Sequence, residues 1–353
     1  MVLAEVESIG GDLLPKRFFI SPGMRQAFPE LLLEAHIPMA TQNARRRWML
    51  DQRQAFSLMF WVPGIAMIRL NFQLKLNYQV LEHDADFFFY IHAANTSHQQ
   101  VSSEHLTVSE ASADWEIQQC QDVTQRCLRV SARPGTLTVH YEAIVEISHH
   151  KAEPGYVSEV PVRRLPLEVM QYVYPSRYCQ SDRLSKFAVD RFGHLPQGYT
   201  RAQAICDWVR QNVTFRSNTS IGTTSAVDTL IERVGVCRDF AHLMIAICRA
   251  INLPARFVTG TDYGADPALG PSDFHAYVEV YLGYRWFIFD PSGTSIPMGL
   301  MRIATGRDAA DVAFATIFGS VISEPAHIHV QVEHSEKKNW EWPVYTSLAL
   351  STE

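Results

Sequence analysis

The sequence predicts an α+β protein in which an antiparallel β-sandwich precedes a core of helices packed on a second antiparallel sheet. Three observations carry this. Apolar and polar residues alternate from Met67 to Val80, and further strand-like runs follow as far as Ile147. Capped segments of helical period then run from Ser181 to Val234, and from Arg256 the pattern returns to strands. Helices followed by antiparallel strands is the order of an α+β core.

The strands come first. In Met67–Val80 the residues at 68, 70, 72, 74, 76, 78 and 80 are apolar or aromatic and those between are polar, the period of a half-buried strand. Asp86–His92, Glu104–Val108, Cys127–Val130 and Leu137–Ile147 repeat it between polar turns, which predicts a sandwich over residues 67–160. Residues 1–66 form a poorly patterned extension whose densest apolar cluster is Leu58-Met59-Phe60-Trp61-Val62. Met67 can itself initiate. The extension is read as upstream translation that the functional protein does not need, in preference to an edge element docked on the sandwich. Residues 336–353 read as a C-terminal tail.

After Pro161 the period changes. Ser181–Phe192 and Thr200–Phe215 are helical candidates opened by Ser or Thr, and Ala204, Ile205, Trp208 and Val209 form an apolar stripe in the second. Ser225–Val234 begins with a Ser225…Asp228 capping-box spacing and is predicted to stop at Gly235. Strands are predicted at Arg256–Thr259, Phe274–Leu282 and Arg285–Asp290, so residues 161–335 read as a second domain.

Of the 353 residues 47% are hydrophobic and 19% charged, enough to bury a sizeable core. A net charge of −6 and the lack of a basic stripe argue against a nucleic-acid partner. No run approaches the ~20 apolar residues of a membrane helix, and the N-terminus lacks signal-peptide order. Six cysteines without a CxxC pair read as reduced thiols. A cytoplasmic protein with no membrane partner is therefore expected.

The segment Gly235–Leu253 is the most informative. Behind Phe240, apolar residues at 243, 244, 247, 248 and 251 trace one helical face, Asp239 sits in the first turn, and Pro254 closes the segment. Cys237 thus falls at a helix N-terminus, where free N–H groups favour a thiolate, the nucleophilic form. Cys248, on the apolar face, reads as core. Downstream, His275, Tyr277, Glu279 and Tyr281 share one face of the Phe274–Leu282 strand. A two-residue loop at Leu282-Gly283 would set His275 directly across from Asp290. A slip of two residues keeps them on one face, and a slip of one separates them. Cysteine, imidazole and carboxylate together suit acyl chemistry. The thiolate attacks a carboxamide carbon, the imidazole moves the proton, and the carboxylate orients the imidazole. Tyr263, in the Gly/Pro-rich stretch just before His275, is a candidate substrate contact.

Gly-Val-Cys-Arg-Asp-Phe-Ala-His-Leu (235–243), Pro-Ala-Arg-Phe-Val-Thr-Gly (254–260), Asp-Phe-His-Ala-Tyr-Val-Glu-Val-Tyr-Leu (273–282) and Phe-Asp-Pro-Ser (289–292) closely resemble the bacterial branch of the transglutaminase-like superfamily. Arg302–Val312 is similar to a segment that follows the core in that branch, and the strand-rich region from Met67 to Val160 resembles its N-terminal β domain. The resemblance covers about residues 67–334. It implies a papain-like core with Cys237 as nucleophile, His275 as base and Asp290 as orienting acid, no cofactor, and a peptide or protein amide as substrate. Hydrolysis, as by a cysteine peptidase or amidase, is favoured over amine transfer by a transglutaminase. One departure is visible: after Asp-Pro-Ser the family often has Asn, and here stands Gly293. The Cys237 N–H is the first candidate for the oxyanion hole, and a side-chain donor from Trp208–Thr224 stays unassigned.

Other chemistries fit less well. Cys237 and His242 lie ~140° apart around a helix, and the CxxC spacings of structural zinc sites are lacking, so no metal is expected. The Gly-x-Ser-x-Gly elbow of serine hydrolases and the phosphate-binding glycine loops are not found. A fold kept as a non-catalytic interaction module is the remaining rival. Such modules usually lose the nucleophile or the base, whereas all three positions are filled here.

Overall fold

The structure, a computed structural model, describes residues 66–353 except 110–112, 121, 262 and 265–272. The extension before residue 66, with its Leu58–Val62 cluster, lies outside the described residues, as does most of the stretch after Gly264. The described chain belongs to one compact unit, Gly64–Glu353.

The N-terminal strands are β1 (Ile68–Val80), β2 (Ala85–Phe89), β3 (Gln99–Val108), β4 (Ala113–Gln119), β5 (Arg126–Ala132), β6 (Gly135–Ile147) and the short β7 (His150–Ala152). The seven apolar positions predicted in β1 are all buried. β1 pairs with β6 along its whole length, from Ile68 opposite Ile147 to Val80 opposite Gly135. Tyr78, Phe87 and Phe89 pack ring on ring between the two sheets. β4 was not legible as a strand because Asp114–Gln119 is exposed along its whole length, an edge that buries neither face.

Helices follow: α1 (Leu167–Met170), α2 (Ser185–Phe192), α3 (Tyr199–Asn212), α4 (Ala226–Glu232) and α5 (Cys237–Ala250). Two-residue strands β8 (Thr214–Phe215) and β9 (Val234–Gly235) pair in parallel between them. The Ser225…Asp228 capping box is present, with Asp228 accepting the Ser225 N–H at 2.9 Å. The helix it opens ends earlier than predicted. Arg233, at φ +57, terminates α4, and Gly235 belongs to β9.

The core sheet has the order β12-β11-β10-β13, from β10 (Ala255–Thr261), β11 (Phe274–Leu282), β12 (Arg285–Phe289) and β13 (Met301–Gly306). The β11–β12 hairpin corrects the predicted register. Its loop is Gly283-Tyr284, both at positive φ as a tight two-residue turn requires, so Val278 faces Phe289 and Leu282 faces Arg285. This is the slip of two that preserves facing. Asp290 lies just past the last paired residue and is displaced along the strand from His275 rather than directly opposite it.

A second correction concerns the domain limits. After the helix α6 (Ala309–Val312), strands β14 (Ala315–Phe318), β15 (Val321–Ser323) and β16 (His327–Glu333) leave the core and complete the sandwich. β15 and β16 pair with β1, and β14 pairs with β2. Residues 161–335 therefore do not fold apart from 67–160: β1 has two long edges, and the segment before residue 160 covers only one. The segment 336–353 likewise ends inside the fold. β17 (Ala349–Ser351) pairs with β7, and Glu353 joins Arg256 and Arg302 at 2.7 and 2.9 Å. Among the described residues no helix is long and apolar enough to cross a membrane.

Candidate active site

Helix α5 sets the nucleophile. Val236 precedes its first turn, and Asp239 reaches back to accept the Val236 N–H at 2.9 Å. Asp239 is fully buried, and its other oxygen accepts the Ser220 hydroxyl at 2.8 Å and faces Arg238 at 3.3 Å. Gly235 is required here, since a Cβ would stand 2.7 Å from Asp239 Cβ. Cys237 opens the helix, where first-turn N–H groups have no intrahelical acceptor. Its thiol is half-buried, while Cys127, Cys179, Cys206 and Cys248 are buried. Cys248 is core, as predicted.

His275 and Asp290 are both buried, and His275 Nε2 faces Asp290 Oδ1 at 3.3 Å. Cys237 is close enough to the same imidazole to act on its charge. Burial opposes a charged His275, but the Asp290 charge and the contacts to Asp290 and Cys237 prevail and hold its pKa well above the usual value. Burial likewise opposes the Asp290 carboxylate. The His275 charge, the Ser292 hydroxyl and the Ser295 N–H outweigh it and hold the carboxyl at about 2. Oδ1 accepts the Ser292 hydroxyl at 2.6 Å and its N–H at 3.1 Å, and Oδ2 accepts the Ser295 N–H at 3.3 Å. The arrangement can hold an imidazolium beside a half-exposed thiol.

The remaining candidates fare differently. Tyr263 is half-buried beyond the end of β10, where its carbonyl accepts the Ile296 N–H at 3.2 Å and its side chain packs by Gly299. None of its described contacts is with Cys237, His275 or Asp290. Within Trp208–Thr224, Trp208 packs with Phe187 and Phe192, and Ser220 is committed to Asp239. Arg210, which the sequence reading passed over, donates from Nη2 to the Asp290 carbonyl at 2.6 Å. Ser292 and Ser295 were also missed, although the Asp-Pro-Ser turn next to a candidate acid was a usable signal. Among the described residues no group of three or more His, Cys, Asp or Glu side chains is arranged to hold a metal.

The family profile of the transglutaminase-like superfamily matches residues 186–291, and that of the bacterial transglutaminase N-terminal domain matches residues 68–168. A crystal structure of a candidate cysteine protease from Cytophaga hutchinsonii is 36% identical. The match covers 81% of this chain and 98% of that one, with a TM-score of 0.75. An uncharacterized protein of Mycobacterium leprae is 30% identical over 115 residues, and one of Mycobacterium bovis is 34% identical over 110. These stretches are 31% and 28% of this chain, and the chain spans only 41% and 35% of the length of these two curated relatives.

Proposed function

For a chain that belongs to the transglutaminase-like superfamily, with its bacterial N-terminal domain, we propose thiol-dependent hydrolysis of a peptide or amide bond through Cys237, His275 and Asp290. The observation that carries the reading is the buried His275–Asp290 pair beside a half-exposed cysteine at a helix N-terminus. Cys237 sulfur attacks the amide carbon, and the developing oxyanion takes a hydrogen bond from the Cys237 N–H. His275, holding the thiol proton, passes it to the nitrogen of the leaving amine or ammonia as the C–N bond breaks. A thioester remains. Water then attacks the thioester carbon while His275 removes its proton, and the acid departs as that proton returns to sulfur. Asp290 keeps one tautomer and steadies the imidazolium. Six free thiols support a reducing compartment, the cytoplasm, as its setting.

A peptide library incubated with the protein and followed by mass spectrometry tests this. Peptide loss with release of ammonia or an amine in the wild type, and none in Cys237→Ala, is expected. Adding a primary amine separates the two outcomes of the thioester: products that carry the amine as a new amide, heavier than the hydrolysed acid by the amine less one water, would make amine transfer the activity. Equal turnover by Cys237→Ala would end the proposal.

A further inference from the structure

Gly293 stands at φ +67, and a Cβ on it would lie 2.5 Å from Arg210 Nε and 2.9 Å from Cζ. The guanidinium of Arg210, in the last turn of α3, therefore rests on bare main chain. From there Nη2 reaches the Asp290 carbonyl at 2.6 Å, which also accepts the Gly293 N–H at 3.2 Å. The bonds of Asp290 divide into two kinds. Those from Ser292 and Ser295 lie within its own turn and would move with it as a rigid body. They fix the shape of the turn and not its direction. Asp290 follows Phe289, the last residue of β12 in register with β11, so no ladder bond aims it either. The bond from Arg210 crosses from another element and can set that direction.

We propose that Arg210 is a positioning residue: by clamping the Asp290 carbonyl across Gly293, it aims Asp290 Oδ1 at His275 Nε2. The inference rests on the Cys237–His275–Asp290 reading above. Around the clamp the charged and titratable neighbours are Tyr199, Cys206 and Asp207 on α3, Cys248 and Cys237 on α5, and Asp290 and His275 on and just past the hairpin. Gly293 is the complementary half of the device, because a side chain there would evict the guanidinium.

The test compares alkylation of Cys237 by iodoacetate and iodoacetamide across pH. An imidazolium beside the sulfur favours the anionic reagent, and the preference vanishes as His275 loses its proton. Arg210→Ala should move the pH of that loss down by about one unit, the low end for a weakened opposite charge. Arg210→Lys, which keeps a donor, should move it less. Gly293→Asn should act like Arg210→Ala, since Asn tolerates the left-handed backbone but its Cβ displaces the guanidinium. In the double variant the two shifts should not add. A wild-type pH of loss in Arg210→Ala, or two shifts that add, would overturn the clamp. A wild type that never prefers iodoacetate would instead remove the ion pair itself, and the proposed function with it.

Discussion

Asp290→Asn removes a charge and leaves the size of the side chain unchanged. In the wild type Oδ1 serves Ser292 and faces His275, while Oδ2 accepts the Ser295 N–H. An amide cannot satisfy both sides. With its oxygen toward Ser292 and His275, its NH2 meets the Ser295 N–H, donor against donor. Loss of charged hydrogen bonds costs about 1.5–3 kcal/mol, and release from burying a charge offsets part of that, so a net loss of about 1–2 kcal/mol is expected. In a unit of this size that lowers Tm by roughly 2–6 °C. Turnover should fall much further, by about 10³-fold or more, because the imidazole loses the partner that fixes its tautomer. Acid stability gives a second readout. A carboxyl held at about 2 against an ordinary 3.8 contributes about 2 kcal/mol above pH ~4, lost as pH falls toward 2. The raised pKa of His275 acts in the opposite sense. Its stabilisation is complete below the ordinary histidine value of ~6.5 and is lost as pH rises through the folded value. Melting curves from pH 2 to 8 should show a smaller acid step in Asp290→Asn than in the wild type, the remainder coming from Glu353, which its arginine partners also hold at about 2. Full turnover in the variant, with the acid step intact, would place the third member of the site elsewhere.

Two further outcomes test the supports of the site. Gly235→Ala should lower stability by about 1–3 kcal/mol in urea titration, because its Cβ would press on Asp239 and loosen the start of α5; an unchanged midpoint would contradict that packing. Glu279→Ala should cost about 3–5 kcal/mol, since it leaves Arg256 and Arg302 buried with Glu353 as their remaining carboxylate partner. A loss below 1 kcal/mol would show that Glu353 suffices alone.

The parts of the fold legible in the sequence were those governed by local periodicity and capping. The alternation of β1, the Ser225…Asp228 box and the placing of Cys237 at the start of α5 each follow from a few neighbouring residues. His275 and Asp290 shared a face despite the misplaced loop, because a slip of two conserves facing while moving the contact. The return of β14–β16 to the sandwich was not legible, as strand-like sequence does not say which distant edge it will cover. Arg210 was hidden for a similar reason. A lone arginine at a helix end reads as solvated, and only the fold reveals the carbonyl it meets.

The central claim is that Cys237 alone among the six cysteines is activated, and limiting iodoacetamide at pH 6 followed by peptide mapping tests it directly. Cys120 is the internal control, the other half-buried thiol, pushed up by burial. Burial raises the buried Cys127 to about 11 and Cys179 to about 12. Cys237 should take up one equivalent while Cys120 stays unmodified, and His275→Ala should abolish that selectivity. Labelling of Cys120 as fast as Cys237, or a Cys237 rate unaltered in His275→Ala, would contradict the account.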